Sequence, residues 1–293
     1  MWLRVHAQDP WLIALDLDGT LITPEQTITP RTMRAVAAAR RDGHFVVIAT
    51  GRPPRSALPF YRQLSLDTPL ISLNGALILN PVDLSSIHAA SIPAPTVTGL
   101  LDIARRVGGL VALAEVGHTP VICRLHRPDD RAATDQCDGI LDLVAASPFV
   151  DLTQSVITHD APQGEVASLL LFLSRDVHDQ VIAAAKQQLG DGIHLRAWRE
   201  PYGVIEITRH GTTKASALSL LRGHTDIPAQ RVLAFGDEMN DYDMLAQAAI
   251  GVAMGNANPA LIPVCSAITE PCVDDGVARY LERTILHRQS ASG

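Results

Sequence analysis

Leu12-Ile13-Ala14-Leu15-Asp16-Leu17-Asp18-Gly19-Thr20-Leu21 is the stretch around which this 293-residue chain is organised. Four apolar residues run into two carboxylates spaced two apart, with a glycine and a threonine directly after. The apolar run predicts a strand buried on both faces, as in the middle of a parallel sheet. Alternation along a strand sends residues i and i+2 the same way, so Asp16 and Asp18 should project together from its carboxyl end. Open α/β sheets place their ligands at that edge. Leu17 should point into the packing, and Gly19 lets the backbone turn sharply beneath the carboxylates. Two such charges about 4 Å apart repel by about 4 kcal/mol at an effective dielectric of 20. A divalent cation or a shared proton would relieve this.

Composition narrows the function classes. An apolar fraction of 47% is ample for a packed core, and the formal net charge of −7 argues against a nucleic-acid partner, which needs a basic face. A local positive site for an anionic small molecule is compatible with that charge. Cys123, Cys137, Cys265 and Cys272 form no C-x-x-C pair, so neither a zinc ribbon nor a redox dithiol is expected. The first ten residues lack the continuous apolar core of a signal peptide, and no apolar run approaches a membrane span. A soluble, cytoplasmic protein is the expectation, with no membrane partner.

Downstream, Thr29-Pro30 is a helix-start signal, and the helix it opens ends near Gly43. Phe45-Val46-Val47-Ile48-Ala49 is a second apolar strand, ending in Thr50-Gly51-Arg52. Strand, helix, strand at this spacing predicts a right-handed βαβ unit with parallel strands, so Thr50 leaves the sheet at the same edge as Asp16. The Thr50 hydroxyl and the Gly51 amide there can hold a phosphate oxygen. A short helix over 54–64 and a third core strand over 70–76 follow, with Asn74-Gly75 marking a hairpin.

From about Leu84 the texture changes to helices and paired strands: a helix over 96–107, strands over 110–116 and 120–126, a polar loop over 129–135, and a helix around 140–145. A strand over 166–173, an amphipathic helix over 175–189, and strands over 194–198 and 204–207 across the turn Pro201-Tyr202-Gly203 complete the module. This is the pattern of an inserted α+β module. The core resumes with a helix after Lys214 that buries Ala217, Leu218, Leu220 and Leu221. Then come the strand Arg231-Val232-Leu233-Ala234-Phe235, the acids of Gly236-Asp237-Glu238-Met239-Asn240-Asp241, further strands over 250–254 and 267–269, and a last helix over 276–285. The expected architecture is α/β: a Rossmann-like, three-layer core with a parallel sheet over 1–83 and 210–293, interrupted by an α+β cap over 84–209.

Asp16, Asp18, Asp237 and Asp241 at one sheet edge would be a costly concentration of charge without a cation. Hard oxygen ligands with no His or Cys among them suit Mg²⁺. Lys214 and Thr50 bring positive charge and a hydroxyl for an anionic substrate. The set describes phosphoryl transfer with a carboxylate nucleophile.

These motifs, in this order, resemble those of the haloacid dehalogenase superfamily. Asn74-Gly75-Ala76, Glu206-Ile207, Gly251-Val252-Ala253-Met254-Gly255-Asn256-Ala257 and Asp274-Asp275-Gly276-Val277-Ala278 resemble its Cof-type, subfamily IIB phosphatases, whose type-two cap belongs where the insertion lies. The resemblance implies that Asp16 attacks phosphorus and forms an aspartyl phosphate, and that Asp18 acts as general acid and then base. It implies Mg²⁺ bound by the Asp16 and Asp237 carboxylates and the Asp18 backbone carbonyl, with Asp241 orienting Lys214 or a metal-bound water. Thr50, Gly51, Lys214 and Asn240 would hold the phosphoryl oxygens. P-type ATPases of the superfamily carry lysine and threonine where this chain has Leu17 and Asp18, so turnover rather than a lasting phosphoenzyme is implied. The implied substrate is a small phosphorylated metabolite of the sugar phosphate class. Two readings stand beside hydrolysis: a phosphomutase of the phosphomannomutase type, and a non-catalytic sensor of a phosphorylated ligand. Oligomeric state is not legible.

Overall fold

The protein, seen in a computed structural model, is described over residues 9–146, 152, 154–198 and 203–286, without the Trp198 side chain. The expected turn at 201–203 and the tail from 288 lie wholly or partly outside these residues. In chain order the elements are β1 (Leu12–Leu15), α1 (Pro30–Arg41), β2 (Phe45–Ile48), α2 (Pro54–Gln63), β3 (Leu70–Ser72), β4 (Leu77–Leu79) and β5 (Ser86–Ala89). Next come α3 (Ala94–Arg106), β6 (Val111–Val116), β7 (Thr119–Arg124), α4 (Arg131–Ala145), β8 (Val156–Thr158), β9 (Val166–Phe172), α5 (His178–Leu189), β10 (Ile193–Trp198) and β11 (Val204–Arg209). The chain ends with α6 (Lys214–Arg222), β12 (Val232–Gly236), α7 (Tyr242–Gln247), β13 (Ile250–Ala253), β14 (Ala267–Ile268) and α8 (Gly276–Thr284). Two compact units result, residues 1–87 with 213–293 and residues 88–212. Their boundaries lie three to four residues beyond those expected from the change in texture.

In the first unit a five-stranded sheet runs in the order β14-β13-β12-β1-β2, every pair parallel. The strands are apolar because both faces are covered. Ile13, Leu15, Val46, Ile48, Leu233 and Phe235 pack with residues of α1, α2 and α8. The alternate residues Leu12, Ala14, Phe45, Val47 and Ala234 pack with residues of α6 and α7. Such alternation is what a three-layer α/β/α arrangement requires. Helix α1 starts as its sequence dictates, with Thr29 accepting from the Thr32 amide and proline in the first turn. Leu15 pairs with both Phe235 and Ile48, so the residues just after β1, β12 and β2 leave the sheet side by side.

Two expectations need correction here. β3 is not laddered into the parallel sheet: it forms a separate sheet in the order β3-β4-β5, linked to the main one through the parallel bridge Ala49↔Ile71. The Asn74-Gly75 turn does join an antiparallel pair, with Leu70 opposite Leu79. Leu220 is exposed rather than on the buried side of α6. β5 has no fully buried residue, so it carried no apolar signal to announce it.

The second unit is a six-stranded sheet in the order β10-β11-β9-β6-β7-β8, antiparallel except for β7 with β8. Leu100, Leu101 and Ala104 of α3 and Val181 and Ala185 of α5 cover one face. Cys137 and Val144 of α4 pack on Val111, Leu113, Ile122 and Phe172 of the other. Residues 131–135, expected as loop, are the first turn of α4, and Asp130 caps it by accepting from the Ala133 amide at 3.0 Å. Only Ala133, Cys137 and Val144 of this helix are buried, which is too sparse a pattern to read as helical periodicity. No helix of the described residues is long and apolar enough to cross a membrane.

Candidate active site

The first unit concentrates its buried charge at the carboxyl edge of the parallel sheet. Asp16 follows β1 directly, and its Oδ1 accepts from Lys214 Nζ at 2.6 Å. The same ammonium donates to Asp241 Oδ1 at 2.7 Å. Lys214 is wholly buried in the first turn of α6, a helix stabilised by a capping box between Thr213 and Ser216. Burying an ammonium is costly unless it is paired, and two carboxylates meet that need here. Burial acts to lower the Lys214 pKa, but Asp16 and Asp241 outweigh it and hold the amine charged.

Asp237 follows β12 and completes a cluster with Asp16 and Asp241 in which one carboxylate oxygen from each lies within 4.8 Å of the others. Thr20 Oγ1 donates to Asp237 Oδ1 at 3.4 Å. Asn256 Nδ2 donates to Asp237 Oδ2 at 3.2 Å and to the Gly19 carbonyl at 2.8 Å. Gly19 has a φ of +72°, and a Cβ there would stand 2.0 Å from Asp237 Oδ2. Glycine is thus demanded by both conformation and space.

Three carboxylates against one ammonium leave two negative charges in a buried site. Burial, reinforced by Asp241, pushes Asp16 well above the carboxylate range despite Lys214. The same causes push Asp237 up to about 7. Such a site takes up protons or a divalent cation, and an all-oxygen donor set fits a hard ion such as Mg²⁺. Asp241 is already engaged at both oxygens, for its Oδ2 accepts from the amides of Asp237 at 3.1 Å and Glu238 at 3.2 Å. Its contacts suit the orienting of Lys214.

The Asp18 side chain has a cation of its own. Arg52 Nε donates to Asp18 Oδ2 at 2.8 Å and Arg52 Nη2 to Asp18 Oδ1 at 2.5 Å, a bidentate pair. Arg52 is buried, lies over the Phe60 ring at 5.1 Å and also donates to Gln26 Oε1 at 2.6 Å. Asp16 and Asp18 thus each have a side-chain counter-cation, Lys214 and Arg52 respectively. The sequence alone gave Arg52 no role. Its signal was a basic residue directly after Thr50-Gly51, at the edge where the acids gather. Thr50 is fully buried, and its Oγ1 accepts from the Arg52 amide at 3.1 Å. Asn240 donates through Nδ2 to Asn74 Oδ1 at 3.0 Å. In the second unit Arg196 approaches the buried Glu206 at 3.6 Å, and Arg124 pairs with Asp138 at 2.5 Å.

Residues 13–281 match the family of haloacid dehalogenase-like hydrolases. A Bacillus subtilis protein, 5-amino-6-(5-phospho-D-ribitylamino)uracil phosphatase YitU, is 36% identical over 276 residues, covering 93% of this chain and 97% of its own length. The pyridoxal phosphate phosphatase YbhA of Escherichia coli is 28% identical over 92% of this chain and 97% of its own. The crystal structure of a haloacid dehalogenase-like hydrolase from Bacteroides thetaiotaomicron superposes with a TM-score of 0.76 at 26% identity, covering 94% of this chain and 99% of that one.

Proposed function

The chain belongs to the haloacid dehalogenase-like hydrolases, and from that premise we propose that it is a Mg²⁺-dependent phosphatase of small phosphorylated metabolites that works through an aspartyl phosphate on Asp16. The observation that carries this reading is the buried Lys214 ammonium bridging Asp16 and Asp241, with Asp237 in the same cluster and Asp18 held apart on Arg52. Lys214 occupies one oxygen of Asp16 and leaves Oδ2 to attack phosphorus. As that bond forms, the bond from phosphorus to the leaving oxygen breaks, and Asp18 gives that oxygen its proton. Asp18 then takes a proton from water as the water attacks the aspartyl phosphate, which frees inorganic phosphate and restores Asp16. Arg52 grips both oxygens of Asp18, so proton transfer by Asp18 requires that one of these bonds be given up.

Thr50, the Gly51 amide, Lys214 and Asn240 hold the phosphoryl oxygens in this reading, and Lys214 offsets the repulsion between Asp16 and an anionic substrate. Asp16, Asp237 and the Asp18 carbonyl would hold Mg²⁺, which when bound supplies further neutralisation of phosphoryl charge. The residues of the inserted unit would select the metabolite. Sugar phosphates are the first class to assay, together with 5-amino-6-(5-phospho-D-ribitylamino)uracil, on which the relative YitU is named as acting. Localisation in the cytoplasm, a reducing compartment, fits the four free cysteines and these substrates.

Asp16→Asn tests the nucleophile. Phosphate release from p-nitrophenyl phosphate should fall by about 10³-fold or more, with the circular dichroism spectrum unchanged. Equal rates for variant and parent would reject the assignment. Isomerised sugar phosphate without free phosphate would redirect the reading to a mutase.

A further inference from the structure

The turn Leu73-Asn74-Gly75 between β3 and β4 holds three consecutive residues at positive φ, +51°, +54° and +98°. A branched leucine is poorly suited to this region, and asparagine tolerates it better. Leu73 and Asn74 are both buried, so no exposed loop has simply relaxed into this shape. Strain of this kind persists where the surroundings over-determine the backbone, and it gathers at functional sites.

The surroundings here are the candidate site. The Asn74 amide donates to the Thr50 carbonyl at 3.0 Å, and the Leu73 amide to the Arg52 carbonyl at 3.1 Å. The Asn74 carboxamide lies against Gly51, where a Cβ would stand 3.1 Å from Asn74 Oδ1. Its Oδ1 accepts from Asn240 Nδ2 at 3.0 Å. A Cβ on Gly75 would stand 2.2 Å from the carbonyl of Thr213, the residue that caps the helix beginning with Lys214. One strained turn therefore touches Thr50-Gly51-Arg52, Asn240 and the helix start that carries Lys214. Those segments are otherwise far apart in the chain.

We infer that Asn74 is a positioning residue for phosphoryl binding: it fixes the orientation of the Asn240 carboxamide, and so the direction of its second N–H, while holding the Thr50-Gly51 backbone in place. Asn74 acts through Asn240 and Gly51 rather than on the reacting atoms. The inference rests on the phosphatase reading above and extends it to a residue outside the catalytic motifs.

Asn74→Gly is the discriminating variant, because glycine accepts the left-handed backbone and removes only the carboxamide. Competitive inhibition by inorganic phosphate should weaken by about tenfold, kcat/KM should fall by a similar factor, and the melting temperature should stay within about 4 °C of the parent. The Asn74→Gly, Asn240→Ala double variant should lose less than the product of the two single losses, because the residues share one contact. Asn74→Ala, which removes the same carboxamide but keeps a Cβ, should also weaken phosphate by about tenfold. The alanine variant keeps the role of Asn74 testable even if the glycine variant fails to fold.

Unchanged phosphate inhibition in either folded variant, or losses that multiply in the Asn74→Gly, Asn240→Ala double variant, would overturn the role of Asn74. A parent protein that neither hydrolyses p-nitrophenyl phosphate nor binds phosphate would overturn the phosphatase reading and this inference with it. A parent that does both beside indifferent variants removes Asn74 alone.

Discussion

The two units of this chain treat charge in opposite ways. The unit of residues 1–87 and 213–293 buries Asp16, Arg52, Lys214, Asp237 and Asp241 at one sheet edge, with Asp16 held by Lys214 and the other four each held by at least two polar contacts. The unit of residues 88–212 packs an apolar six-stranded sheet between helices, and Glu115, Glu206 and His178 are its buried carboxylate and imidazole side chains among the described residues. Hydrophobic burial is non-directional and tolerates many sequences, whereas a buried ion needs specific partners at fixed distances. The first unit therefore carries chemistry at a cost in stability, and the second is stabilised mainly by its packing.

The contrast can be broken first at Lys214. Lys214→Met would leave Asp16 and Asp241 buried without their ammonium. Phosphatase turnover should fall by at least about 100-fold, and stability should drop by about 3–5 kcal/mol. Urea denaturation and p-nitrophenyl phosphate turnover measure the two effects, and a stable, active variant would deny that charge pairing organises the site.

A matched cut in the second unit should separate stability from chemistry. Leu171 in β9 is fully buried, and Leu171→Ala should cost about 2–5 kcal/mol. Below its melting point the turnover of p-nitrophenyl phosphate should be within about twofold of the parent. A large loss of turnover in the folded variant would blur the distinction between the units.

The pH response sharpens the comparison further. The Asp237 carboxyl is raised from 3.8 to about 7 in the metal-free fold. Between those values the folded protein holds a proton that the unfolded chain has released, so the metal-free protein should lose stability as pH rises through this window. Added Mg²⁺ competes for the same oxygens, so its apparent affinity should weaken by up to about tenfold per unit as pH falls below about 7. Thermal shifts at about pH 6 and about pH 8, with and without Mg²⁺, test both signs. A Mg²⁺ response independent of pH would remove Asp237 from the ligand set.

The smallest effect belongs to a cap. Asp130→Ala should cost about 1 kcal/mol through the lost bond to the Ala133 amide, with phosphatase kinetics unchanged. A cost near zero in chemical denaturation would mean that the start of α4 is held by its packing instead.

Legibility followed the burial pattern. Strands β1, β2, β12 and β13 were readable because runs of apolar residues end abruptly in motif residues, and the acids sit next to those ends. The start of α4 and all of β5 were not, since a mostly solvated helix turn and a strand without a fully buried residue leave no periodic signal. Arg52, Asn74 and Asn256 stood inside quoted motifs, but their partners Asp18, Asn240 and Asp237 lie 34, 166 and 19 residues away. Residue type alone does not select among such partners.

What the amino-acid order determined by itself was local: which segments are buried strands, which end of each carries an acid or a hydroxyl, and that hard oxygen chemistry was on offer. Only the tertiary structure decided which cation serves which carboxylate. It gave Lys214 to Asp16 across 198 residues and to Asp241 across 27, and Arg52 to Asp18 across 34. Ion pairing acts through space at a few ångströms, and those distances exist only once the parallel register has set the ends of β1, β2 and β12 side by side.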